Sequence, residues 1–556
     1  MTNNYCHSEA PPLSTRSCWT IPAIADFRVR QTPHKTFVRD ASGQTETYAT
    51  FWDRSRRLAD GMRHLGVEPG DRVVIMARNG VPALHTWLGL GLIGAIDVPV
   101  NADYRGEPLS HVIATADPVV LVVETDLLPT LAGVNPSTTK LRHIVTIGEL
   151  LEHPEATWLT TLGWHAYERL IAPSAAPDST VPVLPTVQPA DIASVIFTSG
   201  TTGPAKGVLM PHAQVCLLAL QTIQAVDLGE SDVFYCAHPL YHIAGKFMGV
   251  FATFAAGGTL FIERKFDPGV WLDRIRHCGA TVSILHGPMI EMVQAQPVRD
   301  DDAEHYLSRL MCCPVPRGIG DAFRSRFQLK TIEMWGMSEV ACPCWTSLQD
   351  TYIEGSCGKV LTEWYDLAIV DPETDEPLTT GSVGEIVVRP RHPWTIMQGY
   401  LGMPEVTTRS WRNLWFHTGD AAYADRDGNI FFLDRLGDRI RRRSENISSY
   451  DIETVAAQHD AVKECAAFGV PSEYDADDDV MLCIVPKDSA PVSLVDVFGH
   501  LARNLPHFMV PRFIEVIDEL PRTPTNKVRK KLLRQKGITE NTWDAKAHNV
   551  SVRDFL

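Results

Sequence analysis

No apolar stretch in this 556-residue chain is long enough to cross a membrane as a helix. The longest uncharged apolar run, Phe247 to Ile262, is broken by Gly257-Gly258 and falls short of the ~20 residues a span requires. It reads instead as a core helix followed by a strand. Met1 to Ser17 has no basic patch leading into an apolar stretch, so it does not read as a secretory signal. The 12 cysteines lack paired metal spacing: Cys312 and Cys313 are adjacent, and Cys342-Pro-Cys344 is too tight for a zinc knuckle. Reduced thiols in a cytoplasmic protein are the expectation. There is no basic excess either. A net charge of −16 argues against a surface built for nucleic acid. From Asp438 onward 17 basic residues meet 19 acidic ones, so the imbalance lies almost wholly upstream. No internal repeat or low-complexity block stands out, and nothing in the pattern fixes an oligomeric state.

What is present is a soluble globular composition, 44% apolar and 21% charged, with length for several cores. Phe51 to Leu65 has apolar residues at helical spacing, Arg72 to Met76 reads as a strand, Leu84 to Ile96 as a buried helix, and Asp97 to Asn101 as strand plus turn. The rhythm continues through Val119–Glu124, Ile144–Ile147 and Ala193–Phe197. Such alternation predicts a mostly parallel sheet with helices on both faces. Ala172 to Pro189 reads as a loop, and the acidic run Asp475 to Asp479 as a solvated one.

The chemistry begins at Thr198-Ser-Gly-Thr-Thr-Gly-Pro-Ala-Lys-Gly-Val208, directly after an apolar strand-like run. Gly200 and Gly203 permit positive φ and close backbone approach, so successive N–H groups can turn toward one anion. Thr198, Ser199, Thr201 and Thr202 add hydroxyl donors, and Lys206 a mobile positive charge. This is a phosphate cradle, distinct from the common P-loop because no Ser or Thr follows Lys206.

The stretch resembles the signature loop of the adenylate-forming superfamily: acyl- and aryl-CoA ligases, peptide-synthetase adenylation domains and luciferase. The resemblance extends over nearly the whole chain, and its C-terminal part is most similar to acyl-CoA synthetases of the carnitine/crotonobetaine type. It implies an α/β fold: a large multi-subdomain N-terminal domain of layered sheets and helices, residues 1–436, and a small mobile α+β domain, residues 437–556, hinged at Gly437.

The remaining motifs take their roles from that resemblance. In His238-Pro-Leu-Tyr-His242, zinc binding is disfavoured by Pro239 and by the lack of an acidic partner. His242 matches the aromatic residue at the acyl pocket, and a partly buried structural histidine is the competing reading. In Glu333-Met-Trp-Gly-Met-Ser-Glu339, Trp335 and Gly336 would lie against adenine. Ser338 keeps a hydroxyl, and Glu339, with Thr201, would hold Mg²⁺ near the phosphates. Leu310 to Pro316 departs from the family's Gly-Ala-Pro strand end. Asp420 would take the ribose hydroxyls, assisted by Arg435. Arg441, Ser444 and Glu445 fall in the coenzyme A region, with Ser444 where the family carries glycine. Lys527 matches the lysine that stabilises adenylation.

The implied activity is ATP-dependent ligation of a carboxylic acid to coenzyme A through an acyl-adenylate. A carrier-protein acceptor and a nucleotide-binding pseudoenzyme are the alternatives. The pocket for the acid is expected among Tyr241–Phe247, His286–Pro288 and Met334–Met337, where Lys246 either pairs with a second substrate carboxylate or faces water.

Overall fold

The computed structural model describes the chain except for residues 1–10, 135–137, 151–157, 174–185, 199–203, 314, 316–318, 436–439, 443–444, 448, 474–476, 488–491, 522–527 and 529, and only the backbone at 433–435, 441, 445–446, 450 and 531. Two large sheets dominate the N-terminal part. One is eight-stranded among the described residues, its centre the parallel strands Arg72–Met76, Ile96–Pro99, Val120–Glu124 and His143–Ile147. Its other flank turns antiparallel through Ile192–Thr198, Lys206–Pro211 and Gly399–Tyr400. The second sheet, nine-stranded among the described residues, carries Val233–Cys236, Val282–His286, Arg309–Cys313 and Lys330–Met337 in parallel.

Helices fill the space between these layers because they are apolar almost all round. Val81–Leu92 buries nearly every residue and places Pro82 in its first turn, where the missing N–H is not needed. The sequence pattern puts this helix at Leu84–Ile96, but it ends at Leu92. Gly94, at φ +70°, turns the chain and Ile96 opens the next strand. Phe247–Ile262 resolves as expected into helix and strand, with Gly257 at φ +80° between them. Its first part differs: Ala244–Phe251 is a π-helix, a wider turn frequent at functional sites.

An antiparallel unit, Tyr365–Val370, Gly384–Pro390, Trp411–Arg412, Trp415–Ala424 and Ile430–Arg435, follows the two sheets. The parallel-sheet expectation did not anticipate it. Beyond it comes the smaller α+β domain, with sheet Val462–Pro471, Asp478–Pro486, Phe513–Val516 and Trp543–Asp544 under helices such as Leu494–Asn504. The fold class inferred from sequence is therefore the one observed.

The acidic run is not simply a solvated loop. Asp477 and Asp479 are buried, and Asp479 takes a hydrogen bond from Arg512 at 2.8 Å. Ten described cysteines are free thiols, whereas Cys18 is disulfide-bonded, contrary to the expectation of reduced thiols throughout. No helix among the described residues is long and apolar enough to cross a membrane.

Candidate active site

Four parallel strands of the nine-stranded sheet end on one edge, and the sequence motifs follow their carboxyl ends. His238 comes after Val233–Cys236, and His286 closes Val282–His286. Cys313 closes Arg309–Cys313, and Trp335 to Met337 close Lys330–Met337. Crevices beyond the carboxyl ends of parallel strands are where open α/β sheets take ligands.

The phosphate-loop stretch is held at its mouth by the other sheet, where Thr198 and Lys206 stand opposite each other in an antiparallel pair. Ser199, Gly200, Thr201, Thr202 and Gly203 lie outside the described residues. The Lys206 ammonium sits 5.0 Å from the ring centre of Tyr400. The Tyr400 hydroxyl in turn donates to Glu339 Oε1 at 3.0 Å. Tyr400 belongs to the short strand Gly399–Tyr400, paired to Val208–Leu209. A line of three side chains therefore runs from the loop's exit to the buried carboxylate. The sequence reading missed Tyr400 because only strand pairing brings it there.

Glu339 is 5% exposed. The buried amide of Gln214 donates to the carbonyls of Ser338 at 2.8 Å and Glu339 at 3.3 Å, and the Met397 N–H donates to the Glu339 carbonyl at 2.9 Å. Gly336 is required sterically, since a Cβ there would stand 2.2 Å from the Ala341 carbonyl oxygen. Among the described residues no cluster of three or more His, Cys, Asp or Glu could cage a metal. One buried carboxylate, linked through Tyr400 to Lys206, nevertheless fits Mg²⁺, which takes one or two protein carboxylates and completes its shell with other oxygen ligands and water.

Trp335 and Asp420, the residues expected at adenine and ribose, are in direct contact: the indole N–H donates to Asp420 Oδ2 at 3.0 Å. Asp420 lies in Trp415–Ala424, opposite Arg435 in the backbone register. Below them, burial pushes the Glu333 carboxyl up to about 8, and Glu333 Oε2 accepts the Val315 N–H at 3.4 Å. That contact ties down the strand end that departs from the family pattern.

At the strand ends where an acyl pocket was expected, His242 is half-buried, its ring centre 5.4 Å from that of His286, which lies 4.2 Å from His238. Lys246 corrects the sequence expectation. It is 2% exposed and forms a buried ion pair with Asp97, so it neither faces water nor awaits a second substrate carboxylate. Gly437, Ser444 and Lys527 lie outside the described residues, and Arg435, Arg441 and Glu445 are described only in backbone.

The comparisons agree with this geometry. The AMP-binding enzyme family model matches residues 26–401, and the AMP-binding enzyme C-terminal domain matches 451–527. A crotonobetaine/carnitine–CoA ligase from Salmonella typhi is 29% identical over 88% of this chain and 93% of its own length. The fold resembles o-succinylbenzoate CoA synthetase from Bacillus subtilis with a TM-score of 0.78, at 21% identity over 93% of this chain and 99% of the other. It also resembles the amide bond synthetase McbA from Marinactinospora thermotolerans, with a TM-score of 0.77 at 25% identity over 92% and 99%. With more than half its length matched by one family model and its small domain by a second, the chain belongs to the AMP-binding enzymes, the adenylate-forming family whose motifs it carries.

Proposed function

We propose that the protein is an ATP-dependent carboxylic acid–CoA ligase. In the first half-reaction a carboxylate oxygen attacks the α-phosphorus of ATP, forming an acyl-adenylate and expelling pyrophosphate. In the second, the thiol of coenzyme A attacks the activated carbonyl and expels AMP. The observation that carries this reading is the convergence of Lys206, Tyr400 and Glu339 on one side of a strand-end crevice with Trp335 and Asp420 on the other.

Thr198 and Lys206 would bring the phosphate loop, including Ser199, Gly200, Thr201, Thr202 and Gly203, against the triphosphate. Trp335, Gly336 and Ser338 would flank the base, and Asp420 with Arg435 the ribose. Mg²⁺, when bound at Glu339 and Thr201, would neutralise charge on the phosphate oxygens. Lys527 would enter from the small domain for adenylation and withdraw as residues 437–556 rotate about Gly437 against 1–436. Arg441, Ser444 and Glu445 would then border the path of coenzyme A, and His242 the reacting carbonyl. Such a swing lets one cleft serve two reactions.

The test is pyrophosphate release from ATP across a panel of carboxylic acids, with and without coenzyme A. Acid-dependent release, with thioester formed only when coenzyme A is added, supports the reading. Thioester formed only on a phosphopantetheinylated carrier protein would move the acceptor. ATP binding without acid-dependent release would reduce the protein to a nucleotide binder.

A further inference from the structure

The wall proposed for the acyl side of the crevice is built from rings and sulfur. His238, His286 and His242 form a ladder of imidazoles with centres 4.2 and 5.4 Å apart and planes inclined at 55° and 72°. Half-buried Cys313 and Met337 come from the ends of the two next strands. Charge is absent where the sequence offered it, because Lys246 is consumed by Asp97 and the pair is neutral as a unit. A second substrate carboxylate therefore finds no partner in Lys246, and a quaternary ammonium none in Asp97.

The wall is braced from behind. Asn79 clamps the segment from the other sheet: its amide donates to the His238 carbonyl at 2.8 Å, and its oxygen accepts the Leu240 N–H at 2.9 Å. The π-helix then seats Gly245 so tightly that a Cβ would lie 2.4 Å from the Pro239 oxygen and 2.6 Å from the His238 oxygen. Behind it Lys246, Phe247 and Met248 are buried.

One polar atom in the wall lacks a partner. His238 is 2% exposed, and its Nε2 has no hydrogen-bond partner among the described residues. Burial drives the ring's pKa down to about 3, so the imidazole is neutral and can donate or accept according to tautomer. Leaving such an atom unpaired is costly, and a ligand group that pairs with it is selected for.

Resting on the ligase reading above, we infer that the acid activated is an aromatic monocarboxylate carrying one uncharged hydrogen-bonding ring substituent, its ring extending the His242–His286 ladder and the substituent meeting His238. Ring-on-ring spacing of about 4.5–7 Å and sulfur–aromatic contacts both suit a flat ring there.

The test is pyrophosphate release at fixed ATP with 4-hydroxybenzoate, 4-hydroxycinnamate, their unsubstituted parents, succinate, carnitine and palmitate. Release at least about tenfold faster, as kcat/KM, with a hydroxylated aromatic acid than with its parent and the three non-aromatic acids is expected. His238→Phe should erase or invert the preference for the hydroxyl while ATP KM stays unchanged. His286→Leu, at a half-buried position, should narrow the gap between aromatic and aliphatic acids. A top rate with succinate, carnitine or palmitate overturns the substrate class and leaves adenylation standing. An unaltered hydroxyl preference in folded His238→Phe overturns the role given to His238. Release with none of the acids overturns the ligase reading and this inference with it.

Discussion

The indole N–H of Trp335 and the Asp420 carboxylate meet at 3.0 Å, both side chains buried, although 85 residues separate them. One comes from a parallel strand end of the nine-stranded sheet and the other from the antiparallel unit, so the hydrogen bond ties together the two places proposed for base and ribose. Trp335→Phe keeps the ring and removes the donor. A hydrogen bond to a charged group is worth about 1.5–3 kcal/mol, so KM for ATP should rise about tenfold or more with little change in kcat. Steady-state pyrophosphate kinetics at varied ATP would show it.

Tyr400→Phe deletes the hydroxyl that donates to Glu339. Adenylation should slow by about tenfold, on the scale of one charge-assisted hydrogen bond. Glu339→Gln should be the more severe change, with its defect partly relieved at high Mg²⁺. Pyrophosphate release against Mg²⁺ concentration separates the two.

Lys527→Ala should lower adenylation at least about a hundredfold, as expected for losing one transition-state donor. Thioester formation from chemically supplied acyl-adenylate should be spared. Equal losses in both halves would count against the lobe rotation.

The Lys246–Asp97 pair is structural, and its removal is asymmetric. Lys246→Met leaves a carboxylate stranded at a position 1% exposed, at a cost of about 3–5 kcal/mol. Asp97→Val combined with Lys246→Met should recover most of that loss. Urea midpoints of the two single variants and the double variant decide the matter.

Glu333 predicts a pH dependence of stability. Its carboxyl, pushed up by burial from the ordinary 4.5 to about 8, keeps in the folded state a proton that the unfolded chain releases. Stability therefore falls as pH rises from about 4.5 to 8, by at most about 1.4 kcal/mol per unit, and levels off above. In Glu333→Gln that slope should flatten, as read from denaturation midpoints between pH 5.5 and 8.5.

The sequence is most informative where chemistry is local. Gly200, Gly203 and their hydroxyl neighbours announce a phosphate loop within a few residues, and Trp335 to Glu339 lie in one short run. The alternation of helix and strand likewise disclosed the layered α/β architecture. Side chains that reach the site by pairing or packing left no trace in spacing. Tyr400 arrives on an edge strand beside Val208, Gln214 through a helix between layers, and Asn79 and Asp97 from the opposite sheet. Lys246 and Asp479 carry the same lesson: a charge read as open to water becomes interior once its partner, far along the chain, folds against it. The antiparallel unit from Tyr365 to Arg435 was hidden because its strands pair outside the βαβ rhythm.

The pairing of Gly399–Tyr400 with Val208–Leu209 gives one backbone ladder custody of both Lys206 and the phenol that grips Glu339. A shift in that ladder moves the cation and the phenol together, so Lys206 and the hydroxyl that reaches Glu339 keep their place relative to each other. Substitutions at the wall proposed for the acid can therefore leave the residues proposed for the triphosphate in register.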